Sequence, residues 1–168
     1  MAPLMFLHAL ATANPVLAFT QHQCWEMAQQ SLGRDRLNEH SLLVIEKVLN
    51  GNSGIAKRHF AVADDRVFDR TADELNAAFR REAPLLAGEV LRNALERAAL
   101  GPEDLDALFI CTCTGYLCPG VTSYVAEKLG LRRDAYLQDL VGLGCGAAIP
   151  TLRSAHGFLA ANPRARVA

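Results

Sequence analysis

The sequence predicts an α/β fold in which βαβ units build a mixed, mostly parallel sheet. Residues 105–113 read as a continuous apolar strand of the kind buried on both faces of a parallel sheet, and 136–141 as a short buried strand broken by glycine. Around them stand longer segments whose apolar residues recur at helical spacing, closed by glycine or proline. Strands alternating with helices imply parallel pairing, because a parallel neighbour needs a long crossover that a helix supplies. With 168 residues, 51% of them apolar, the chain is long enough for one domain spanning 1–168, and its length demands no second.

Taken in order, residues 5–11 form a candidate first strand that stops at the turn signal Ala13-Asn14-Pro15. The apolar run 4–10 and the alanines after it mimic a secretory leader. No Lys or Arg precedes it, however, and His8 interrupts it, so the strand reading is preferred. Residues 20–31 read as a helix with Phe19, Cys24, Met27 and Ala28 on one face and Gly33 closing it. Residues 38–49 repeat the helical pattern through Leu42, Leu43, Ile45 and Leu49. Asn50-Gly51-Asn52-Ser53-Gly54 is a turn, and 55–60 follows with the basic cluster Lys57, Arg58 and His59, by composition a solvated strand edge.

Thr71-Ala72-Asp73-Glu74 is a capping-box start. The helix it opens is expected to end near Arg81, because Pro84 cannot donate a backbone hydrogen bond. Residues 84–100 then carry a wide apolar stripe including Leu91 and Leu95, the pattern of a separate crossover helix that packs on a sheet and ends at Gly101-Pro102. After the strand at 105–113 come a helix at 121–129 stopped by Gly130, and the strand at 136–141. A last helix is expected over 149–159, starting late or kinked because of Pro150.

Composition excludes several functions. Net charge is −1 with the basic residues dispersed, so there is no basic stripe for nucleic acid. No apolar run approaches the roughly 20 residues that span a bilayer. The chain therefore reads as soluble and cytoplasmic, without membrane insertion. Five cysteines at irregular spacings argue against a disulfide framework and for a reducing compartment.

Chemistry concentrates in Asp139-Leu140-Val141-Gly142-Leu143-Gly144-Cys145-Gly146-Ala147-Ala148. A strand fixes direction, two glycines allow a sharp turn, and Cys145 arrives at or near the first turn of a helix. There, free N–H groups and the helix dipole favour thiolate over thiol. A small buried cysteine at a tight strand-to-helix joint is the competing reading, and spacing alone does not separate the two. His156 is not a partner base: it lies eleven positions on, about 16 Å along an ideal helix axis. Cys111, Cys113 and Cys118 lack the second pair of ligands that structural zinc sites show, so no metal is expected.

The run 139–155, together with Cys111-Thr112-Cys113-Thr114-Gly115-Tyr116-Leu117-Cys118-Pro119-Gly120, resembles the N-terminal half of type III polyketide synthases, the chalcone and stilbene synthase family. The Gly-Leu-Gly-Cys-Gly-Ala-Ala-Ile-Pro wording is closer to bacterial alkylresorcinol and alkylpyrone synthases than to the plant enzymes. The resemblance implies an incomplete thiolase-like fold and a homodimer. It makes Cys145 the nucleophile that takes a starter acyl group from acyl-CoA and extends it with malonyl-CoA by decarboxylative condensation. Cys113 and Thr114 would line the substrate pocket, and Cys118 would stand on a loop that reaches into the partner's cavity, where plant members show methionine. Lys47, Lys57 and Arg58 are candidates for the phosphates of coenzyme A. The resemblance implies no cofactor beyond the coenzyme A thioesters.

The family's histidine and asparagine belong to its second half, so this chain alone is expected not to complete the reaction. A ketoacyl-ACP synthase III or hydroxymethylglutaryl-CoA synthase relative is the alternative within the same chemistry. A non-catalytic fragment acting as an interaction module is the alternative outside it.

Overall fold

The computed structural model describes residues 5–31, 33–51, 54–62 and 69–168. Among them run β1 (Leu17–Thr20), α1 (Gln21–Gln30), α2 (Glu39–Asn50), β2 (Lys57–Phe60), α3 (Ala72–Ala98), β3 (Ala107–Thr112), α4 (Val121–Leu129), β4 (Tyr136–Val141) and α5 (Ala148–Ala161). Internal contacts group the chain into two compact units, residues 14–78 and residues 1–13 with 79–168. Among the described residues β1 pairs with β2, and β3 with β4.

The 14–78 unit is built on an antiparallel pair, with Leu17 opposite Phe60 and Thr20 opposite Lys57. Thr20 ends β1 and at once caps α1. Its hydroxyl accepts from Gln23 N at 3.1 Å while Gln23 Oε1 accepts from Thr20 N at 2.8 Å. Asn38 caps α2 from one side, its side chain accepting from Ser41 N at 2.8 Å. Helix α1 ends at Ser31 rather than Gly33. Ser31 turns its hydroxyl back onto Ala28 O at 2.8 Å, and Gly33 instead opens the 3₁₀ turn Arg34–Arg36. Asn52 and Ser53 of the expected turn lie outside the described residues, as does Leu4.

The expected strand at 5–11 is not formed. A strand needs a ladder partner, and among the described residues none pairs with this segment. Met5, Phe6, Leu7 and Leu10 are exposed, and the segment is held instead by Arg97, whose guanidinium donates to Leu10 O at 2.6 Å.

The second unit holds a parallel pair, with Ala107 opposite Tyr136 and Thr112 opposite Val141, and α4 in the chain between the two strands. Residues 166–168 lie along the other edge of β3. Ala107 bridges Val167 in parallel, and Phe109 N donates to Ala168 O at 2.8 Å. Leu91 and Leu95 of α3, Leu108 of β3, Val121 and Val125 of α4, and Leu105 and Leu131 form the core. Helix α5 is fixed to the sheet by aromatic rings: Phe158 stacks on Tyr136 at 5.3 Å and meets Phe109 edge-on at 6.2 Å.

Two proline expectations need correction. Helix α3 runs unbroken from Ala72 to Ala98 with Pro84 inside it. The capping box holds, with Thr71 Oγ1 accepting from Glu74 N at 3.2 Å. An interior proline costs about 3 kcal/mol, but Phe79 and Ala83 before Pro84 and Ala87 and Leu91 after it all pack on one core, which offsets that loss. Helix α5 starts at Ala148, so Pro150 falls in its first turn, where a backbone N–H has no intrahelical acceptor anyway. The irregularity lies one step earlier, as the 3₁₀ turn Gly144–Gly146.

Candidate functional site

Strand β4 delivers the chain to a turn that only glycine permits. Gly142 and Gly144 have φ of 78° and 63°, in the left-handed region that costs other residues a steric clash at Cβ. Between them and α5 the backbone winds once as a 3₁₀ turn, closed by Ala147 N donating to Gly144 O at 3.2 Å. Cys145 is the middle residue of that turn and is exposed, which is not the environment of a small buried cysteine. Ala147 behind it is buried at 4% exposure, so the turn is seated by its base while its crest stands free. Val141, Leu143, Ile149 and Leu152 around the crest are exposed apolar residues.

Strand β3 ends in register with β4, and Cys113 is the first residue beyond it. Two contacts hold the loop that follows. Thr112 Oγ1 donates to Gly115 O at 2.9 Å, and the Phe79 ring lies so close to Gly115 that a Cβ there would collide with it. Cys113 thus follows the strand paired with the one that leads to Cys145, and the two thiols interact. The Cys113 thiol is held protonated above its ordinary range, first by its side-chain hydrogen bond with Cys145 and next by the charge Cys145 carries when ionised. Desolvation and Cys111 act in the same direction. Thr114 and Cys118 are exposed on the same loop, and Cys118 precedes a cis Pro119. Cys111 is half-buried in β3.

The basic candidates lie in the other unit. Lys47 is in the last turn of α2 and exposed, and Lys57 is exposed on β2. Arg58 is half-buried, with Nε donating to Gln21 Oε1 at 2.8 Å, so its guanidinium is partly committed within its own unit. His59 beside it meets Pro15 O through Nδ1 at 2.8 Å. His156 is exposed on α5.

One family model, described as FAE1/Type III polyketide synthase-like protein, matches residues 13–168, nearly the whole chain. The chain belongs to this family. A 1,3,6,8-tetrahydroxynaphthalene synthase of Streptomyces griseus is 26% identical over 155 residues, covering 92% of this chain and 42% of that protein. A phloroglucinol synthase of Pseudomonas fluorescens is 23% identical over 154 residues, covering 91% of this chain and 44% of that protein. Among solved structures, PKS-I from the brown alga Ectocarpus siliculosus superposes with a TM-score of 0.76 at 28% identity, over 94% of this chain and 44% of that one. The chain thus spans less than half the length of these relatives. Over that span its backbone has the thiolase-like fold of type III polyketide synthases.

Reading the sequence alone missed one pair of side chains beside this site, Asp139 and Thr122. The available signal was Gly120: a glycine immediately before a helix cannot cap it with a side chain, so the capping acceptor must come from elsewhere.

Proposed function

We propose that residues 1–168 act as the N-terminal thiolase-like part of a polyketide-forming acyltransferase, with Cys145 as the acyl acceptor. The Cys145 thiolate attacks the carbonyl carbon of an acyl-CoA, and collapse of the tetrahedral adduct expels the coenzyme A thiolate, which takes up a proton. The new bond is again a thioester, so the acyl group stays activated. Malonyl-CoA then loses carbon dioxide, and the enolate carbon bonds to the acyl carbonyl while the Cys145 thiolate leaves.

Stabilising the enolate and oxyanion needs fixed donors. In the family resemblance these are a histidine and an asparagine beyond the region this chain matches, so the loading step is the one assigned to these residues. Cys113, Thr114 and Cys118 are proposed to line the acyl pocket. Lys47, Lys57 and Arg58 are proposed to meet the coenzyme A phosphates, and the active form is proposed to be a homodimer.

The observation that carries this reading is the exposed Cys145 on a glycine turn at the carboxyl end of a parallel strand, with Cys113 just beyond the end of the strand paired to it. Crevices at the carboxyl ends of parallel strands are where α/β sheets bind their ligands. Intact-mass spectrometry after incubation with a long-chain acyl-CoA tests the reading. One acyl group should add to the chain and should be lost in Cys145→Ala. No adduct on the unmodified sequence, or an equal adduct on Cys145→Ala, rejects it.

A further inference from the structure

Strand β3 ends at Thr112 and pairs there with Val141 of β4, so the loop after β3 and the turn that carries Cys145 leave adjacent strands at the same level. That loop is anchored at alternate residues. Gly115 and Leu117 are half-buried, and Leu117 packs against the apolar core, while Thr114, Tyr116 and Cys118 are exposed. Alternating exposure means that one side of the segment faces inward and the other outward. Whatever sets the depth of Gly115 therefore sets how far Thr114 and Tyr116 stand out.

What sets it is the ring of Phe79, on α3. A Cβ at position 115 would overlap that ring. Gly115 lies outside the left-handed region, so glycine is needed here for the close approach of the ring and not for the backbone conformation. The ring is held in turn. Phe79 packs against the apolar core, and the next residue, Arg80, donates through its guanidinium to the Tyr124 hydroxyl of α4 at 3.3 Å, tying this part of α3 to the helix that follows the loop. The loop's own hydrogen bond, Thr112 Oγ1 to Gly115 O at 2.9 Å, ties the seated residue back to the end of β3. We propose that Phe79 is a positioning residue that sets acyl selectivity: its ring holds the 113–118 loop at the height that fixes the room beside Cys145. The inference rests on the reading of Cys145 as the acyl acceptor and of Thr114 as pocket lining.

Two substitutions act in opposite directions. Phe79→Ala removes the ring, lets Gly115 sink and opens the space, whereas Gly115→Ala pushes the loop off the ring and narrows it. The test compares iodoacetamide with its bulky N-benzhydryl derivative at Cys145, followed by peptide mass spectrometry on the full chain. Both reagents need the same thiolate, so the ratio of their rates reports room and not thiol ionisation. Phe79→Ala should raise the bulky-to-small ratio by about threefold, and Gly115→Ala should lower it by about as much. That is modest beside the discrimination of a closed pocket, because Cys145 is exposed. In the double variant the added methyl takes space the ring has left, and the ratio should return toward wild type.

Leu95→Ala, a core truncation elsewhere in α3, controls for general loosening and should leave the ratio in place. Phe79→Leu should shift it in the same direction as Phe79→Ala by less, and it serves if the alanine variant does not fold. An unchanged ratio in Phe79→Ala, or in the leucine variant standing in for it, overturns the proposal. So does a double variant that keeps the Gly115→Ala ratio, or an equal shift in Leu95→Ala. With acyl-CoAs, the same variants should reorder the loading of branched and straight chains on Cys145 in the same sense. Should wild-type Cys145 take no acyl group, the functional reading falls, while the alkylation ratio still decides whether Phe79 sets the room at that turn.

Discussion

Cys24 and Cys145 each lie four residues beyond the end of a strand, β1 in one unit and β4 in the other, yet their surroundings are opposite. After β1, Thr20 is itself the helix cap. Cys24 is therefore one turn into α1, fully buried, and burial pushes its thiol above the ordinary range while Arg58 opposes that shift. After β4, Gly142 and Gly144 delay the helix until Ala148, and Cys145 is left on an exposed turn. The difference lies in how soon the helix starts. An immediate cap converts the cysteine into a core residue, and two left-handed glycines keep it out of the core. The strand paired with β4 also carries Leu108, which belongs to the apolar core of the 79–168 unit.

That contrast can be broken at three points. The largest effect is expected from Leu108→Ala, which empties a site 4% exposed in the strand beside β4. It should lower stability by about 2–5 kcal/mol, read as a shift in the urea midpoint. A shift well under that range would mean that Leu108 is not a main support of this core.

Next come the glycines. Gly142→Ala meets no atom within 4 Å but must hold a φ of 78°, so it should cost about 1–2 kcal/mol of pure backbone strain. It should also slow Cys145 alkylation, because relief of the strain moves the turn. Gly146→Ala has equal space and no positive φ, so it should stay within about 0.5 kcal/mol of wild type. Equal losses in the two variants would remove the left-handed turn from the explanation.

The smallest effects are those of pH. The raised Cys24 pKa means its burial contributes fully below the unfolded thiol value of about 8.5 and fades as pH rises through the folded one. The urea midpoint should therefore fall in the alkaline range, and less so in Cys24→Ala. Asp106 shows the reverse sign. The Arg166 backbone N–H at 2.7 Å and the Arg132 guanidinium hold its carboxyl below the usual range against partial desolvation. Its contribution is present above about pH 3.9 and is lost as pH falls through the folded value. Because the group is largely solvated, the acid limb should flatten only slightly in Asp106→Asn.

The parts of this fold that were legible in the sequence are those decided locally. Val121 to Leu129 could be bounded as a helix because Gly120 and Gly130 flank a helical apolar pattern, and Gly130 indeed takes φ 70° at its end. The strand Tyr136–Val141 was legible because its apolar residues Tyr136, Leu137, Leu140 and Val141 are followed at once by Gly142. Residues 5–11 have a strand's composition, but pairing is decided by a partner elsewhere, and composition carries no information about it. Pro84 obeyed its local rule in isolation and was overruled by apolar packing on both sides. At the site, Cys145 stood out through its glycines. Its contact with Cys113 depends on β3–β4 register across 32 positions of sequence. Asp139 reaches Thr122 from β4 to the first turn of α4, and neither pairing leaves a mark in spacing.

The most direct measurement is peptide mapping of the acyl group across all five cysteines after exposure of the chain to a long-chain acyl-CoA. The expected result is an adduct at Cys145 with none at Cys24, in line with the exposure of one and the burial of the other. Acylation spread evenly over Cys111, Cys113, Cys118 and Cys145, or absent from Cys145, contradicts the assignment of that turn as the nucleophile.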